Sequence, residues 1–184
     1  MRKIRVLIQP IGEVDWSILE QLIFNLNSKS EFYEADLSKI PFEIPIESYN
    51  PLRNQYYSPL ILNKMCMRLI DDPHDRILGV IDLDLYVEGL NFIFGEAQFN
   101  GKCAIISIFR LKPEFYGEPF NPQIFHERIL KEAIHELGHT MGLKHCKNRK
   151  CVMHFSNSIW DTDYKDYRYC IKCKNKLYRK MRTI

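Results

Sequence analysis

Residues 135–155, HELGHTMGLKHCKNRKCVMHF, constrain this chain more than any other stretch. His135 and His139 are four apart. On a helix that spacing sets both on one face, one turn apart and within reach of a single ion. Leu130, Ala133, Leu137 and Met141 fall near the opposite side at about 100° per residue. The apolar stripe therefore faces a core, and the histidines face a cleft. Gly142 follows three residues after His139, and glycine readily takes the left-handed backbone that ends a helix. A break there lets His145 swing beneath the other two, whereas a continuing helix would carry it away.

Three neutral nitrogen donors without a fourth protein ligand form the donor set of a catalytic zinc, which keeps one position open for water. Glu136 lies beside the first histidine and points past the metal. Zinc lowers the pKa of its bound water to about 7. A carboxylate so placed takes the water's proton and later hands it to a leaving amine. The implied chemistry is metal-assisted hydrolysis of a peptide or amide bond, with His135, His139 and His145 as ligands and Glu136 as general base. At ordinary residue frequencies the full spacing arises by chance on the order of once in 10⁴ to 10⁵ such chains. The plain alternative is an exposed polar helix end rich in histidine.

Six cysteines accompany this motif. Cys146 and Cys151 are separated by four residues, and Cys170 and Cys173 by two. Two close pairs bring four sulfurs to a tetrahedron with bonds of about 2.3 Å, a closed structural zinc site. Its free energy, about 10–16 kcal/mol in small zinc-finger peptides, would pin a C-terminal third poor in apolar periodicity. Two disulfides or a redox CxxC are the alternatives, and a reducing cytosol without a thioredoxin-like context argues against both. Cys66 and Cys103 stand alone inside apolar patterns and are expected as separate buried thiols. His126 and His154 are read as structural.

Along the rest of the chain, KIRVLIQ (3–9) alternates like a strand, and Trp16, Leu19, Leu22, Ile23 and Leu26 recur at helical spacing. Residues 31–57 suggest a short strand followed by loop. Ser58 and Pro59 open a helix over 58–70, with Ser58 as candidate N-cap. Residues 75–87 read as one apolar strand. Asn100-Gly101 between two apolar runs predicts a hairpin over 92–109. A long helix runs from Pro122 to Gly142, and a basic tail, KNKLYRKMRTI, ends the chain. Strands alternating with helices, then a hairpin, predict an α/β (α+β) fold with a mixed sheet packed by helices. One domain is expected over 1–184, with the sheet and active-site helix in 1–145 and the zinc-bound part in 146–184.

The motif and the cysteines together resemble one family. HELGHTMGLKH fits the metzincin pattern HExxHxxGxxH. His145-Cys146, four residues, Cys151, Val152, Met153 and the later Cys170-IK-Cys173 are similar to the archaemetzincin signature, as is GVIDLDLYVEGLNFIFGEA (79–97). The resemblance implies a metzincin-like mixed sheet, a zinc metallopeptidase activity, and two zinc ions per chain, one catalytic and one structural. It implies that Met153 packs beneath the catalytic metal. It also implies that an edge strand above the metal aligns an extended peptide by strand addition, with the 92–109 hairpin as the candidate edge. Phe155 stands where some metzincins carry a tyrosine, so an oxyanion donor must come from elsewhere. Tyr164, Tyr167 and Tyr169 are the candidates, with packing as the alternative for each. Glu96, near the cleft, either caps a peptide N-terminus or has no role.

Composition narrows the partners. The chain has 184 residues, 46% apolar and 27% charged, a globular profile. A net charge of +3 is too weak to argue nucleic-acid binding for the whole protein. The rival reading is a zinc-binding protein with little proteolysis, whose four-cysteine site and basic tail (Lys172, Lys174, Lys176, Arg179, Lys180, Arg182) bind nucleic acid or a protein. A solvated helix face is favoured over that rival. No apolar run reaches the roughly 18 residues of a membrane span, and MRKIRVLIQPIGEV makes a poor signal peptide. The expectation is a cytoplasmic monomer acting on peptides or small proteins.

Overall fold

The computed structural model describes residues 2–182. Its elements run β1 (Ile4–Ile11), α1 (Trp16–Lys29), β2 (Tyr33–Leu37), β3 (Tyr49–Asn50), β4 (Gln55–Tyr57), α2 (Ser58–Arg68), β5 (Arg76–Ile81), β6 (Leu85–Tyr86), β7 (Gly95–Ala97), β8 (Cys103–Ser107), α3 (Pro122–Thr140), α4 (Ile159–Tyr164) and α5 (Ile171–Met181). The main sheet has the order β2-β1-β5-β8-β7. Its first four strands are parallel, and β7 joins β8 antiparallel as an edge. A small second sheet has the order β3-β4-β6. The architecture is the mixed α/β fold that the strand–helix alternation predicts.

Residue alternation along the strands builds two cores. Ile4, Val6, Ile8, Leu78, Val80, Ala104 and Ile106 face α1 and α3. Leu7, Ile11, Ile77, Ile81, Cys103 and Ile105 face α2 through Ile61, Leu62, Met65 and Cys66. A sheet covered on both faces needs near-continuous apolar strands, and β1, β5 and β8 have them. Pro10 is tolerated inside β1 because pairing with β2 ends at Ile8↔Leu37, so no partner there needs its missing N–H.

The helices start and stop where local chemistry directs. Asp15 accepts the Ser17 N–H at 2.9 Å and opens α1, whose Leu19, Leu22 and Leu26 are buried. Asn121 accepts the Ile124 N–H at 3.1 Å and opens α3 ahead of Pro122. At the other end Gly142 has φ +76°. The Leu143 N–H reaches Gly138 O at 3.0 Å, and the Gly142 N–H reaches His139 O at 2.9 Å. This paired closure satisfies the last carbonyls of α3 and turns the chain back.

Several expectations are corrected. Tyr57 caps α2, because it still belongs to β4, and Ser58 is the first helical residue. The strand expected over 75–87 breaks after Ile81 into β5 and β6, where Asp82 and Asp84 turn aside to Lys112 and Arg110. Residues 49–57 hold two short strands where loop was expected. The hairpin is present, but its turn is centred on Phe99-Asn100. Asn100 takes φ +55°, and the Gly101 N–H closes on Gln98 O at 2.9 Å. Most of the basic tail is helical, as α5, while Thr183 and Ile184 lie outside the described residues.

Cys66 and Cys103 are not separate thiols. A disulfide joins them, with the Cα atoms 5.8 Å apart, tying α2 to β8. Sequence spacing gave no sign of this because the two meet only when α2 packs on the sheet. Closing so long a loop restricts the unfolded chain, a contribution of about 3–4 kcal/mol. Thiol titration of the unfolded, unreduced, metal-free protein should therefore find four free thiols among the six cysteines. Replacing both partners with alanine should lower stability in urea by about that amount. Six titratable thiols would show the bond is not formed in solution.

Candidate active site and metal centres

His135, Glu136 and His139 lie on the last two turns of α3, whose other side is buried against the sheet through Leu130, Ala133 and Leu137. His145 returns after the Gly142 turn. The three rings converge: His139 Nε2 is 3.1 Å from His135 Nε2 and 3.2 Å from His145 Nε2. Their outer nitrogens are fixed by backbone carbonyls. His135 Nδ1 contacts Val152 O at 2.7 Å, and His139 Nδ1 contacts Leu143 O at 2.7 Å. A carbonyl only accepts, so both Nδ1 atoms carry the proton. Burial lowers the pKa of His135 and of His145, and takes His139 down to about 4, so the rings are neutral near pH 7. Two bare Nε2 lone pairs then face each other at 3.1 Å. That is repulsive unless a cation lies between them. Tetrahedral bonds of 2.0–2.1 Å to one ion would set nitrogens about 3.3 Å apart, so the residues fit such an ion.

Four sulfurs form the second cluster. The ligand atoms of Cys146, Cys151, Cys170 and Cys173 lie within 4.8 Å of one another. Cys146 Sγ and Cys170 Sγ are 3.8 Å apart, matching the edge of a tetrahedron with bonds of about 2.3 Å. Cys170 caps α5 and Cys173 lies in its first turn, so two thiols meet the positive end of that helix. Burial pushes Cys151 up to about 11 and Cys173 higher still, and a cation at the cluster would draw both down. Cys146 follows His145 directly, and its N–H donates to Met153 O at 2.8 Å, so the two clusters share one segment.

The histidines floor a cleft of about 630 Å³ walled by β7, the 87–94 segment and Phe155 to Asn157. Glu136 is buried beside Gly95 of β7. A Cβ at Gly95 would lie 2.7 Å from Glu136 Cγ and 2.8 Å from its Oε1, so only glycine leaves the carboxylate its place. Burial, then the charges of Glu132 and Glu96, push Glu136 well above the usual carboxylate range, while Lys165 pulls it back. Met153 is fully buried. A Cβ on Gly138, the residue before His139, would collide with its sulfur, so Met153 packs directly under the histidine turn.

Three candidate tyrosines do not reach the cleft. Tyr169 is buried, donates to Ile134 O at 2.9 Å and meets the Tyr33 hydroxyl at 2.8 Å. Tyr164 packs under Lys150 and Arg149, and the Tyr167 hydroxyl accepts from Arg168. Packing is the role of all three. Phe155 packs against the His145 ring at 4.8 Å between centroids. Ser156, next along the chain, lines the cleft with a buried Oγ that has no hydrogen-bond partner among the described residues. His154 contacts Cys146 O through Nδ1 at 2.9 Å, a structural role.

Comparison with known proteins assigns this arrangement. The model of peptidase family M54 matches residues 20–179. An archaemetzincin of Methanocaldococcus jannaschii is 49% identical over 94% of this chain and 92% of its own length. The chain belongs to peptidase family M54. Its enzyme class is therefore zinc metallopeptidase of the archaemetzincin type. The crystal structure of an archaemetzincin from Archaeoglobus fulgidus, complexed with malonate, superposes with a TM-score of 0.80 at 37% identity, covering 94% of this chain and 99% of that one. A zinc-dependent peptidase from Methanocorpusculum labreanum superposes with a TM-score of 0.84 at 29% identity, over 94% of this chain and 99% of that one.

Sequence reasoning missed the charged layer behind this M54 site. Lys165 Nζ lies 3.0 Å from Glu132 Oε1, with both side chains at most 3% exposed. Thr162 donates to the same oxygen at 3.0 Å. Arg128 makes two hydrogen bonds to Asp163, at 2.8 and 2.7 Å, and so clamps α4 to α3. Glu132 lies one turn before Glu136, a spacing that signals a shared face. Nothing in the sequence pairs it with Lys165.

Two substitutions test these contacts. Gly95→Ala should displace Glu136 and lower kcat/KM for peptide hydrolysis by about 10²-fold, with metal content and melting temperature unchanged. Unaltered hydrolysis would mean the carboxylate can shift without cost. Lys165→Met should cost about 3–5 kcal/mol in urea unfolding by stranding the Glu132 charge, and adding Glu132→Gln should recover most of it. No recovery would place the cost in packing instead.

Proposed function

We propose that this M54 member cleaves peptide bonds with two zinc ions per chain. His135, His139 and His145 would hold the catalytic ion, and Cys146, Cys151, Cys170 and Cys173 the structural one. The observation that carries this reading is the facing of two unprotonated Nε2 atoms at 3.1 Å in a cleft that also holds Glu136. When bound, the catalytic zinc supplies a Lewis acid that lowers the pKa of water to about 7. Glu136, pressed against Gly95, accepts the proton of the attacking water and returns it to the departing amine. Val152 O and Leu143 O hold the imidazoles in the ligating tautomer. Met153 and Gly142 support the turn beneath them. Among the described residues the outer edge of β7 pairs with no strand, so an extended peptide can add there beside the histidines.

The substrate class is then a peptide or small protein that fits the cleft. We infer that 1–184 acts as one domain, because Tyr169, Cys173 and Leu177 share a core with Phe32 and Leu26. A monomer in the cytoplasm is the accompanying proposal. Four reduced thiols set to bind metal favour a reducing compartment, and the Cys66–Cys103 bond is buried away from soluble reductants. Among the described residues no helix is long and apolar enough to cross a membrane. Nucleic acid is not favoured as a partner. Lys174 pairs with Glu31 at 2.7 Å and Lys180 reaches Asn100 at 3.2 Å, so part of the basic face is used within the fold.

Elemental analysis with activity assays tests the proposal. Wild type should carry two zinc ions per chain and His139→Ala one, with the fold retained. Glu136→Gln should keep both ions and lose about 10²- to 10⁴-fold in kcat. Cys173→Ser should lose the structural ion and weaken the other, because His145 and Cys146 are adjacent. A single ion indifferent to His139→Ala would overturn the assignment.

A further inference from the structure

Glu96 occupies the middle of β7. Its neighbours Gly95 and Ala97 pair with Ile106 and Ala104, which face α3. Glu96 pairs with Ile105, which faces α2, so its side chain emerges on the opposite side of the edge strand from Glu136. The cleft wraps round that strand, and Tyr57, Pro59 and Glu96 line it there. The carboxylate is half-buried, and burial raises its pKa. Ser58 beside it favours the charged form, yet neither Glu96 Oε2 nor Ser58 Oγ has a hydrogen-bond partner among the described residues. No ion pair to Glu96 occurs among them either. Among the described residues no lysine or arginine lines the cleft, while Glu88, Glu96, Glu136 and the Lys165-paired Glu132 do.

On the α2 face of β7, away from the ion that the histidines would hold, no described side chain forms an ion pair with the Glu96 carboxylate, so a cationic group entering the cleft there would gain an unshared partner. We propose that Glu96 determines the specificity of this cleft by receiving a cationic group of the substrate, an ammonium or guanidinium, on the α2 side of β7. The proposal rests on the peptidase reading above and deepens it. An extended peptide added along β7 sends alternate side chains to the two faces of the sheet, so the residue opposite Glu96 presents its side chain on the same face. A peptide ending there would present its free α-amino group instead. Both sources bring the same chemistry.

Binding separates the sources without depending on turnover. The probes are alanine-based hexapeptides, either carrying one lysine moved through successive positions or carrying none. Each is made with a free or an acetylated N-terminus, and norleucine replaces lysine as the neutral isostere. Affinities are measured by calorimetry on zinc-loaded Glu136→Gln protein and on the same protein with Glu96→Gln added. Cationic peptides should bind on the order of tenfold more tightly than their neutral counterparts, and Glu96→Gln should erase the difference. Loss of the advantage on acetylation assigns the α-amino group. Loss on lysine→norleucine at one position assigns the side chain. Glu96→Lys should reverse the preference towards peptides with glutamate at that position. Equal binding of charged and neutral peptides, discrimination that survives Glu96→Gln, or no binding by any of the set would overturn the proposal. Glu96-dependent binding with no hydrolysis by the Glu136-containing protein would instead sink the peptidase mechanism and leave this recognition standing.

Discussion

The left-handed turn at Gly142 is the constraint on which the rest of the site depends. Without φ near +76° at that residue, α3 has no short way to end, and His145 cannot come back beneath His139. The same turn places the Leu143 carbonyl on His139 Nδ1, so one backbone reversal both delivers the third imidazole and fixes the tautomer of the second. Because Cys146 follows at once, the reversal also begins the sulfur cluster. The turn in the β7–β8 hairpin leans on this end of α3, with the Asn100 N–H on His139 O at 3.0 Å. The edge strand and the histidines are therefore positioned by one junction.

A second constraint is the burial of charge. Arg128, Lys131, Glu132, His135 and Glu136 lie on one helix with little solvent access. Isolated, such groups would cost several kcal/mol each. The C-terminal segment answers them: Asp163 meets Arg128, Lys165 meets Glu132, and Val152 O meets His135. That segment also packs Val152, Met153, Ile159, Tyr169 and Leu177 into the main core, so ion pairs, the thiol cluster and apolar contacts together fasten it to α3. The Lys165 charge also reaches Glu136 and the histidines.

Much of this was legible in the sequence. The histidine spacing, the glycine break, the cysteine pairs and the helix limits of α3 each follow from local periodicity or backbone preference, and the structure brings the same residues together. The hairpin was readable too, though its turn moved by one residue because Asn100 adopts the left-handed conformation in place of Gly101. The failures share a cause. The Cys66–Cys103 bond, the Lys165–Glu132 pair and the packing of Tyr169 onto Tyr33 join positions far apart in the chain, and no local pattern encodes such meetings. The interruption of the 75–87 strand at Asp82 and Asp84 is of the same kind, since those carboxylates turn towards residues 30 and 26 positions later.

By itself the sequence determined the chemistry. Ligand type and spacing name a metal-assisted hydrolysis, because few residues bind zinc and a helix allows few spacings that share a face. Tertiary structure alone decided access and selectivity. It made β7 the edge and placed β8 inside the sheet. It pressed Glu136 against Gly95 and, among the described residues, left Glu96 Oε2 without a hydrogen-bond partner in a cleft that no lysine or arginine lines. These are facts about which surfaces remain uncovered once distant segments pack, and a linear pattern fixes contacts only within a few residues of itself.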